Sequence, residues 1–590
     1  MLDKFAIARA LREIGMLLEL EGENPFKVRA YERGARAVEE LSEDLGTLVR
    51  ENRLVEVPGI GDAISKKVAS LVGTGRSGLL DQLRAKHPPG VLELLQVPEL
   101  GPKKVAALRE ALAVSSVDEL EAACRAGRVR ELKGFGARTE QKILDGIARL
   151  RSRASSRRTL LAEAVEVGER ILAHLDGSPA CLRRDLAGSA RRGSETVGDL
   201  DVVAASTDPA ALSEHLVRFP EVAEVPARGE TKTTVRLGSG LPVDLRIVPP
   251  GDYPTLLHHL TGSKAHHVKL RGIAREKGFT LSEWGLFRLP PDPPPVGAGD
   301  GPPPGAEKLP VESEEAIYAA LGMQPVPPEL REDQGEVEAA LQGRLPADLV
   351  TLDDVRGMVH CHTTWSDGRA SVEEMARAAE ALGMEYLTVT DHSRSAGYAG
   401  GLDLDRLRRQ WDEIDRVQEK VKIRLLKGSE ADILDSGGLD WPDEVLERLE
   451  VVVASIHSRM KMGEDEMTRR LVRAMEAPVF KIWGHPVGRL LGEREPYALR
   501  AEEVLDALAR SRGALEVNGD PKRLDADPRM LRMAGARGIP VVLSVDAHSV
   551  KDLGSLRWAV ATARRGWVRR GDVLNARPAA AFRQAVRPVG

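Results

Sequence analysis

Residues 359–368 read VHCHTTWSDG, a short apolar run that leads directly into a cluster of polar side chains. The pattern recurs after about residue 346, where seven apolar runs each precede a polar cluster and a helical segment: RGMV, EYLTVT, KIRLLKG, LEVVVAS, VFKIWG, GALEVN and IPVVLSV. Strands that alternate with helices predict parallel βα units, arranged either as a barrel or as a doubly wound sheet. In both folds, functional side chains collect at the carboxyl ends of the strands, where these polar clusters lie.

The polar clusters supply nine candidate metal ligands, six of them histidines from a chain that has 13. They are His360, His362, Asp367, His392, Glu430, His457, His485, Asp546 and His548. The HxH and DxH pairs each place two side chains on one strand face, which leaves Cys361 on the opposite face. Mixed imidazole and carboxylate ligands suit zinc, manganese or iron better than magnesium. The set predicts two or three ions that hydrolyse a phosphate ester, whereas any one of these histidines alone is more often structural.

Composition limits the classes of protein to which this chain can belong. The chain has 590 residues, of which 42% are hydrophobic and 30% charged, so we expect several soluble globular domains. Apolar runs are of strand length and charges begin at Asp3, so neither a signal peptide nor a membrane span is expected. Three scattered cysteines argue against a disulfide framework and favour a cytoplasmic location.

Charge and proline content divide the chain further. The net charge of −5 neither predicts nor excludes a nucleic-acid partner, but residues 253–288 hold six basic and two acidic side chains, a candidate phosphate-binding surface. Residues 289–305, LPPDPPPVGAGDGPPPG, predict a semi-rigid linker between two halves. Ahead of it, residues 1–150 are predicted to be all-α and residues 160–250 contain strands.

The stretch GSARRGSETVGDLDVVAAS at 188–206 predicts a second metal centre. Asp199 and Asp201 lie two apart in a strand, so their carboxylates share one face and can bridge two cations. Asp244, in the separate strand LPVDLRIV, is the candidate third carboxylate. A lone DxD is usually a solvated strand end. Here a helix opening at Gly188 and Ser189, with Arg192 and Gly198 nearby, favours a phosphoryl-transfer site.

Three glycine turns recur in the N-terminal region: VPGIGDAISKKV at 57–68, VPELGPKKVAAL at 97–108 and LKGFGARTEQKI at 132–143. Each predicts a helix, a tight turn and a second helix whose first amides are exposed. Any one copy could be an ordinary αα-hairpin, but three copies favour contacts with DNA phosphates. The candidate DNA-binding residues in these turns are Gly59, Gly61, Gly101, Lys103, Gly134 and Gly136.

The motif GSxRRGxETxGDxD, followed by TGSKAHHVKLRGIAREKGFTLSEWGLF at 261–287, resembles the palm and thumb of a family X DNA polymerase. The resemblance implies that Asp199, Asp201 and Asp244 are catalytic and bind Mg²⁺ or Mn²⁺. It assigns Gly188, Ser189, Arg192, Gly198, Arg246, Arg271 and Glu283 to the nucleotide and the closing thumb. This chain departs from the family at His259, Leu260 and His267, which replace residues that contact the incoming sugar and base.

ENPFKVRAYERGA at 23–35 resembles the 5′-phosphate-binding subdomain of that family. The resemblance makes Lys27 and Tyr31 candidate DNA contacts and Lys67 a possible lyase nucleophile. Phe26 and Ala63 depart from the pattern of lyase-active members, and an exposed helix lysine is the alternative for Lys67.

HCHTTWSDG, TDHS, GSE, SIHS, WGHP and DAH resemble the motifs of the polymerase and histidinol phosphatase (PHP) domain. This resemblance implies a distorted (β/α)7 barrel that holds a cluster of Mn²⁺ and/or Zn²⁺ ions. Asp391 is then expected to orient His392 rather than to bind metal.

We therefore predict a multidomain chain with an all-α helix-hairpin-helix region, an α+β nucleotidyltransferase palm with a thumb, and an α/β PHP domain. The expected domains are 1–80 lyase-like, 81–158 fingers, 159–250 palm, 251–288 thumb, 289–345 linker and connecting segment, and 346–590 PHP.

The predicted function is a monomeric repair polymerase that fills short gaps in base excision repair, with gapped or nicked DNA and dNTPs as its partners. The PHP site is expected to be a manganese-dependent 3′–5′ exonuclease and possible AP endonuclease. The alternatives are a PHP-type phosphomonoesterase and a DNA-end-binding scaffold with a vestigial polymerase.

Overall fold

The computed structural model describes residues 4–40, 45–57, 59–87, 89–95, 97, 100–132, 134–155, 158–291 and 304–588. Its contacts divide the chain into two compact units. One comprises Met1–Arg157 and His392–Asp403, and the other comprises Arg158–Asp391 and Leu404–Gly590. Among the described residues, no helix combines the length and the apolar character that a membrane crossing requires.

The first unit is helical, as the sequence predicts. Its helices are α1 Lys4–Leu20, α2 Pro25–Glu40, α3 Leu45–Arg50, α4 Asp62–Thr74, α5 Gly78–Lys86, α6 Pro89–Leu94, α7 Pro102–Leu112, α8 Val117–Arg125 and α9 Ala137–Ser155. Buried residues at helical spacing, such as Ile7, Leu11, Ile14 and Leu18 of α1, build one apolar core under these short helices.

The second unit begins with the predicted palm. Its elements are β1 Thr159–Leu160, α10 Leu161–Asp176, β2 Arg183–Leu186, α11 Gly188–Arg191, β3 Thr196–Val197, β4 Leu200–Ala205, α12 Pro209–Val217, β5 Val222–Arg228, β6 Lys232–Leu237 and β7 Pro242–Val248. Five strands form a sheet in the order β2-β4-β7-β6-β5. The central strands β4 and β7 are parallel, and their register sets Asp201 directly beside Asp244.

The thumb follows and is longer than predicted. Its elements are α13 Tyr253–Thr261, α14 Lys264–Glu276, β8 Phe279–Ser282, β9 Gly285–Arg288, β10 Glu307–Leu309, α15 Glu314–Ala320 and α16 Glu336–Leu341.

The expected linker and connecting segment at 289–345 requires a correction. Strand β10 pairs with β9 antiparallel, Leu309 opposite Leu286, so the segments on either side of the proline-rich stretch belong to one sheet. Residues on both sides of it share one core, which includes Leu270, Leu286, Val311 and Tyr318. Part of the stretch, 292–303, lies outside the described residues. Proline content marked a break in regular structure but could not distinguish a loop from a domain boundary.

The remainder is a parallel barrel. Its elements are β11 Gly357–Cys361, α17 Val372–Ala381, β12 Tyr386–Val389, α18 Leu404–Gln418, β13 Arg424–Asp432, α19 Asp443–Leu446, β14 Val451–Ser455, α20 Glu464–Glu476, β15 Lys481–Trp483, α21 Ala501–Arg510, β16 Gly513–Asn518, α22 Pro528–Gly535, β17 Val541–Ser544, α23 Leu556–Arg565 and α24 Ala579–Val586. All seven predicted strands are present.

The strands follow one another in chain order from β11 to β17, which identifies a barrel rather than a doubly wound sheet. Past the two end strands, the amide of His362 donates to the carbonyl of Ala547 (2.8 Å) and the amide of Ala547 to the carbonyl of His360 (3.0 Å). These bonds draw the first and last strands together and confirm the distorted (β/α)7 barrel.

One end of the barrel is filled with apolar side chains. Val359, Leu426, Val453 and Phe582 of α24 belong to this cluster, and the ring of Phe582 stacks on that of Tyr386 with centroids 4.8 Å apart. The polar cluster therefore lies at the opposite, carboxyl end of the strands, where sites in such barrels are built.

Candidate functional sites

Glu430 is the centre of the barrel site. Its Oε1 lies 3.3 Å from Nε2 of His360, 3.3 Å from Nε2 of His457 and 3.0 Å from Nε2 of His485. Strand β13 places Glu430 inside the barrel, and each histidine comes from a different strand end. One carboxylate thus faces imidazoles from three strands, the arrangement expected of a bridging metal ligand.

Asp546 forms a second centre beside the first. Its Oδ1 lies 3.4 Å from Nε2 of His360 and 3.1 Å from Nε2 of His362. Ligand atoms of His360, His362, Glu430 and Asp546 all lie within 4.8 Å of one another, close enough to hold a metal ion.

The histidines are oriented by bonds to their outer nitrogens. Nδ1 of His360 is bonded to Glu516 and Nδ1 of His457 to Asp432, each at 2.5 Å. Because those nitrogens are bonded outward, each Nε2 is left to face Glu430. Metal-ligating histidines are commonly held by carboxylates in this way.

His548 and Asp367 extend the site from the last and first strand ends. Nδ1 of His548 donates to the carbonyl of Asp546 (2.7 Å), and its Nε2 lies 3.3 Å from Oδ1 of Asp367. The ring of His548 stacks on that of His362 with centroids 4.3 Å apart.

His392 directly follows Asp391 and begins the segment His392–Asp403 of the first unit. Within that segment its carbonyl accepts from the amide of Leu402 (2.8 Å), and its ring lies 6.1 Å from that of Tyr398. Its role as a metal ligand stays a prediction.

Three of the predicted ligands have an unusual backbone. His360, His485 and Asp546 have φ values of +63°, +25° and +50°. Left-handed backbone is costly for residues other than glycine and concentrates at functional sites. In β11 the left-handed backbone at His360 interrupts the regular alternation of side chains between the two faces of the strand, since the register with β12 shifts between Met358 and Cys361.

Electrostatics fit a cation in this site. Burial alone would lower the pKa of His360, but Glu516, Asp546 and Glu430 surround it and raise that pKa well above its usual value. Burial opposes ionisation of Asp546, yet His360, His362 and His548 hold its pKa well below the usual range. Nε2 of His360 and Oδ1 of Asp546 are buried and make no hydrogen bond to the described residues. Buried, preorganised donors of this type suit Mn²⁺ or Zn²⁺.

Asp391 holds the loop that follows β11. Its carboxylate accepts from the amide and hydroxyl of Thr363 (2.8 and 2.7 Å), from Ser366, and from the side chain of Gln410 (2.6 Å). It therefore organises the loop after β11, and its expected role in orienting His392 stays a prediction. That loop carries Asp367.

The palm aspartates are less tightly assembled. Asp201 and Asp244 are neighbours in register, while Asp199 is exposed just before β4. Asp244 is bonded to Lys232 (Nζ to Oδ2, 2.7 Å) and Thr234 (Oγ1 to Oδ1, 2.6 Å). Groups with ligand atoms at metal spacing lie in the barrel, and none occurs among the described palm residues. Palm metal binding stays a prediction.

Gly188 explains part of the GS motif. It has φ +57°, and an added Cβ would lie 2.1 Å from Oδ2 of Asp201, so the tight approach of α11 to β4 requires glycine. Arg192 is held by Glu332 (Nε to Oε1, 2.9 Å) and by the carbonyl of Thr261 (2.6 Å). To bind a triphosphate, Arg192 would have to leave these partners.

Two of the predicted nucleotide-site residues, Arg246 and Glu283, form an ion pair. Arg246 Nη2 lies 3.3 Å from Oε1 of Glu283, and Nε2 of His259 lies 3.4 Å from the other oxygen of Glu283. Burial lowers the pKa of His267 to about 3, and its Nε2–H donates to the carbonyl of His258 (3.0 Å). Arg271 is exposed on α14.

The three glycine turns share one backbone geometry. The amides of Ile60, Leu100 and Phe135 donate to carbonyls three residues earlier at 3.0, 3.1 and 2.9 Å. A helix begins directly after each turn, at α4, α7 and α9.

The glycines in these turns leave room for a backbone ligand. An added Cβ at Gly61, Gly101, Gly134 or Gly136 would meet nothing within 4 Å, whereas one at Gly59 would touch Ala37 at 3.4 Å. Lys103 lies in the first turn of α7. Glycine caps leave the first helical amides open to an outside acceptor, as a phosphate contact requires.

The other N-terminal candidates have different surroundings. Lys27 is exposed and ion-paired with Glu23, whereas Tyr31 is 4% exposed and lies in the helical core. Burial raises the pKa of Tyr31. Lys67 is partly exposed on α4.

Sequence reasoning missed several partners of the barrel site. Glu516 also accepts from the hydroxyl of Ser544 (2.6 Å) and from the amide of His485. Arg523 lies 3.6 Å from Asp546. A carboxylate in the middle of the apolar run GALEVN was the one signal that could have identified Glu516.

The palm and barrel are packed together, which the sequence did not indicate. Leu524 and Trp558 of the barrel belong to the palm core, and Arg489 is paired with Glu195 of the palm (2.8 Å).

Four family models match parts of the chain. They are a helix-hairpin-helix domain at 3–77, a SAM-like helix-hairpin-helix tandem at 91–149, a DNA polymerase beta thumb at 256–332 and a PHP domain at 359–520.

Relatives match both the whole chain and the barrel alone. The DNA polymerase/3′-5′ exonuclease PolX of Bacillus subtilis (strain 168) is 36% identical over 579 residues, 98% of each chain. Probable phosphatases from Thermoanaerobacter sp. (strain X514) and Caldicellulosiruptor bescii are 27% and 30% identical over 231 and 207 residues, covering 37% and 33% of this chain and 88% and 80% of theirs. By its full-length match, its thumb and its barrel, the chain belongs to the family X DNA polymerases that carry a C-terminal PHP domain.

Proposed function

We propose that this protein extends a DNA primer at the palm and removes nucleotides from DNA 3′ ends at the PHP barrel. The observation that carries this proposal is the 98% coverage in both directions with a polymerase/3′-5′ exonuclease, in a chain that keeps both the palm aspartates and the barrel ligand set.

At the palm, Asp199, Asp201 and Asp244 would hold Mg²⁺ or Mn²⁺. Such ions stabilise the attacking and leaving oxygens of an in-line phosphoryl transfer. Gly188 lets the backbone of α11 approach Asp201, and Ser189 and Gly198 would contact the triphosphate. Arg192 would exchange Glu332 for phosphate oxygens.

At the barrel, the nine predicted ligands would hold two or three ions, with manganese or zinc favoured by the imidazole content. Bound there, such ions would supply an activated water and offset the charge of the phosphodiester. Glu516 and Asp432 keep the outer nitrogens of His360 and His457 occupied, so the opposite nitrogens stay directed into the site.

The remaining assignments follow the same family. The glycine turns and Lys27 would bind the backbone of gapped or nicked DNA, and dNTPs would be the second substrate. We propose short-gap filling in base excision repair by a cytoplasmic monomer, with AP-site cleavage as a further barrel activity. Lys67 is the candidate for lyase chemistry.

A gapped duplex with a 5′-labelled primer tests the proposal. With dNTPs and Mg²⁺ the primer should lengthen, and with Mn²⁺ and no dNTPs it should shorten from its 3′ end. A primer unchanged under both conditions would refute both activities.

The similarity of the barrel to probable phosphatases supports a second candidate, hydrolysis of small phosphomonoesters. Histidinol phosphate and single-stranded DNA offered at equal concentration would separate the two. Faster turnover of the phosphomonoester would favour the phosphatase.

A further inference from the structure

Exposure identifies the side from which substrate reaches the barrel site. The side chains of His360 and Glu430 are 0% exposed, whereas those of Asp367 and His548 are 35% and 31% exposed. A DNA end must therefore approach past Asp367 and His548. Asp367 belongs to the loop that follows β11, and this loop lines the approach.

The same loop carries Trp365, two residues before Asp367. Two residues span at most about 7 Å, so the backbones of Trp365 and Asp367 lie about one nucleotide's length apart or less. The ring is partly exposed and borders an open cavity of about 480 Å³, within the usual size range of ligand sites.

Trp365 is held in place on α18. Its indole N–H donates to Oε2 of Glu413 (3.0 Å), its carbonyl accepts from Arg406, and the guanidinium of Arg409 lies 5.8 Å from the ring centroid. Asp391 fixes the loop behind it. A fixed aromatic ring loses little conformational freedom when a ligand stacks on it.

The charges around the cavity select the kind of ligand. Arg409 and Arg416 line it together with Asp412 and Asp415, so the positive and negative charges balance. A phosphate would gain little there, whereas the face of a nucleobase needs no net charge to stack on an indole.

We propose that Trp365 stacks against a base of the DNA strand being trimmed, within one nucleotide of the scissile phosphodiester. This places a base-binding subsite at the mouth of the barrel and rests on the proposed 3′–5′ exonuclease. Because every base has a π face, the subsite binds single strands without sequence preference.

The test compares trimming of 5′-labelled single strands by wild type, Trp365→Ala and Trp365→Phe in Mn²⁺. One substrate is normal, and two others carry an abasic tetrahydrofuran at the last or the next-to-last position. On the normal strand, Trp365→Ala should lose roughly tenfold in kcat/KM, mainly through KM, and Trp365→Phe should retain most activity. On one of the two abasic strands, the difference between wild type and Trp365→Ala should disappear.

A loss that persists equally on both abasic strands would overturn the proposal, because it would mean that Trp365 only positions Asp367. An unchanged Trp365→Ala would overturn it as well. Trp284→Ala, which removes an exposed tryptophan of the thumb, is the matched control and should trim normally. If wild type extends primers but trims none of the strands, the proposed exonuclease itself fails, and the subsite with it.

Discussion

The barrel site and the palm site reach their chemistry by different routes. In the barrel, Glu430 already faces three imidazoles at 3.0–3.3 Å, and two of these are held from behind by carboxylates. In the palm, the three carboxylates lie at the start of β4 and on β7, and Asp244 is bonded to Lys232 and Thr234.

The difference follows from the chemistry of the ligands. Imidazoles and carboxylates attract one another, so a mixed set can assemble in a buried barrel before any metal binds. Three carboxylates repel one another. In this structure Lys232 and Thr234 are bonded to one of them, Asp244. We infer that the barrel is preorganised for its metal, whereas the palm is completed by its metal and nucleotide.

The largest expected effect separates the two sites outright. Asp199→Ala with Asp201→Ala should reduce primer extension by more than about 10³-fold, because removing even one preorganised charge-stabilising group costs about 10²–10³-fold. Trimming in Mn²⁺ should stay near wild type. Equal loss of both activities would contradict two independent sites.

The converse change should affect the barrel alone. His360→Ala with His362→Ala removes two ligands from the buried group and should reduce trimming by more than the roughly 10–100-fold typical of losing an outer partner. Gap filling with Mg²⁺ is the control. Persistent trimming would mean that these histidines do not bind the catalytic metal.

A milder substitution tests preorganisation itself. Glu516→Gln keeps the shape but removes the charge that holds His360, so manganese affinity and trimming should fall about 10–100-fold. Metal titration by calorimetry measures the affinity. Glu385→Gln, which removes the charge from an exposed ion pair with Arg356, is the matched control and should change neither. If Glu516→Gln and Glu385→Gln have the same manganese affinity and the same trimming rate, the carboxylate of Glu516 does not preorganise the metal site.

The smallest expected effect is on the free energy of unfolding of the metal-free protein, through Asp201 of the palm. Burial, Asp199 and Asp244 raise the pKa of Asp201 to about 7, so the folded state favours its protonated form. The stabilisation linked to this raised pKa is present at low pH and is lost as pH rises through about 7, where the carboxylate ionises.

Asp201→Asn should therefore stabilise the metal-free protein at pH 8, on the order of 1–3 kcal/mol after allowance for solvent, and much less at pH 5. Thermal unfolding in a chelator measures this. A stabilisation of the same size at both pH values would show that carboxylate repulsion is not its cause.

Several features could be read from residues alone. The seven apolar runs became the seven strands, and the ligands cluster because parallel strands present their carboxyl ends at one edge. The DLD motif and the downstream aspartate meet because β4 and β7 pair in parallel.

Other features depended on distant partners. Glu516 is 156 residues from the histidine that it holds, and Asp391 accepts from Thr363, 28 residues earlier in the chain. Proline content predicted a linker at 289–305, but it carried no sign that β9 and β10, on either side of that stretch, pair with each other.

By itself, the sequence determined the kinds of ligand and their spacing along each strand, because motif and periodicity are local properties of the chain. Tertiary structure decided which nitrogen of His360 faces Glu430, that Lys232 is paired with Asp244, and that the indole of Trp365 is bonded to Glu413. Such pairings depend on how strands close and helices pack, since no local pattern records the position of a partner far along the chain.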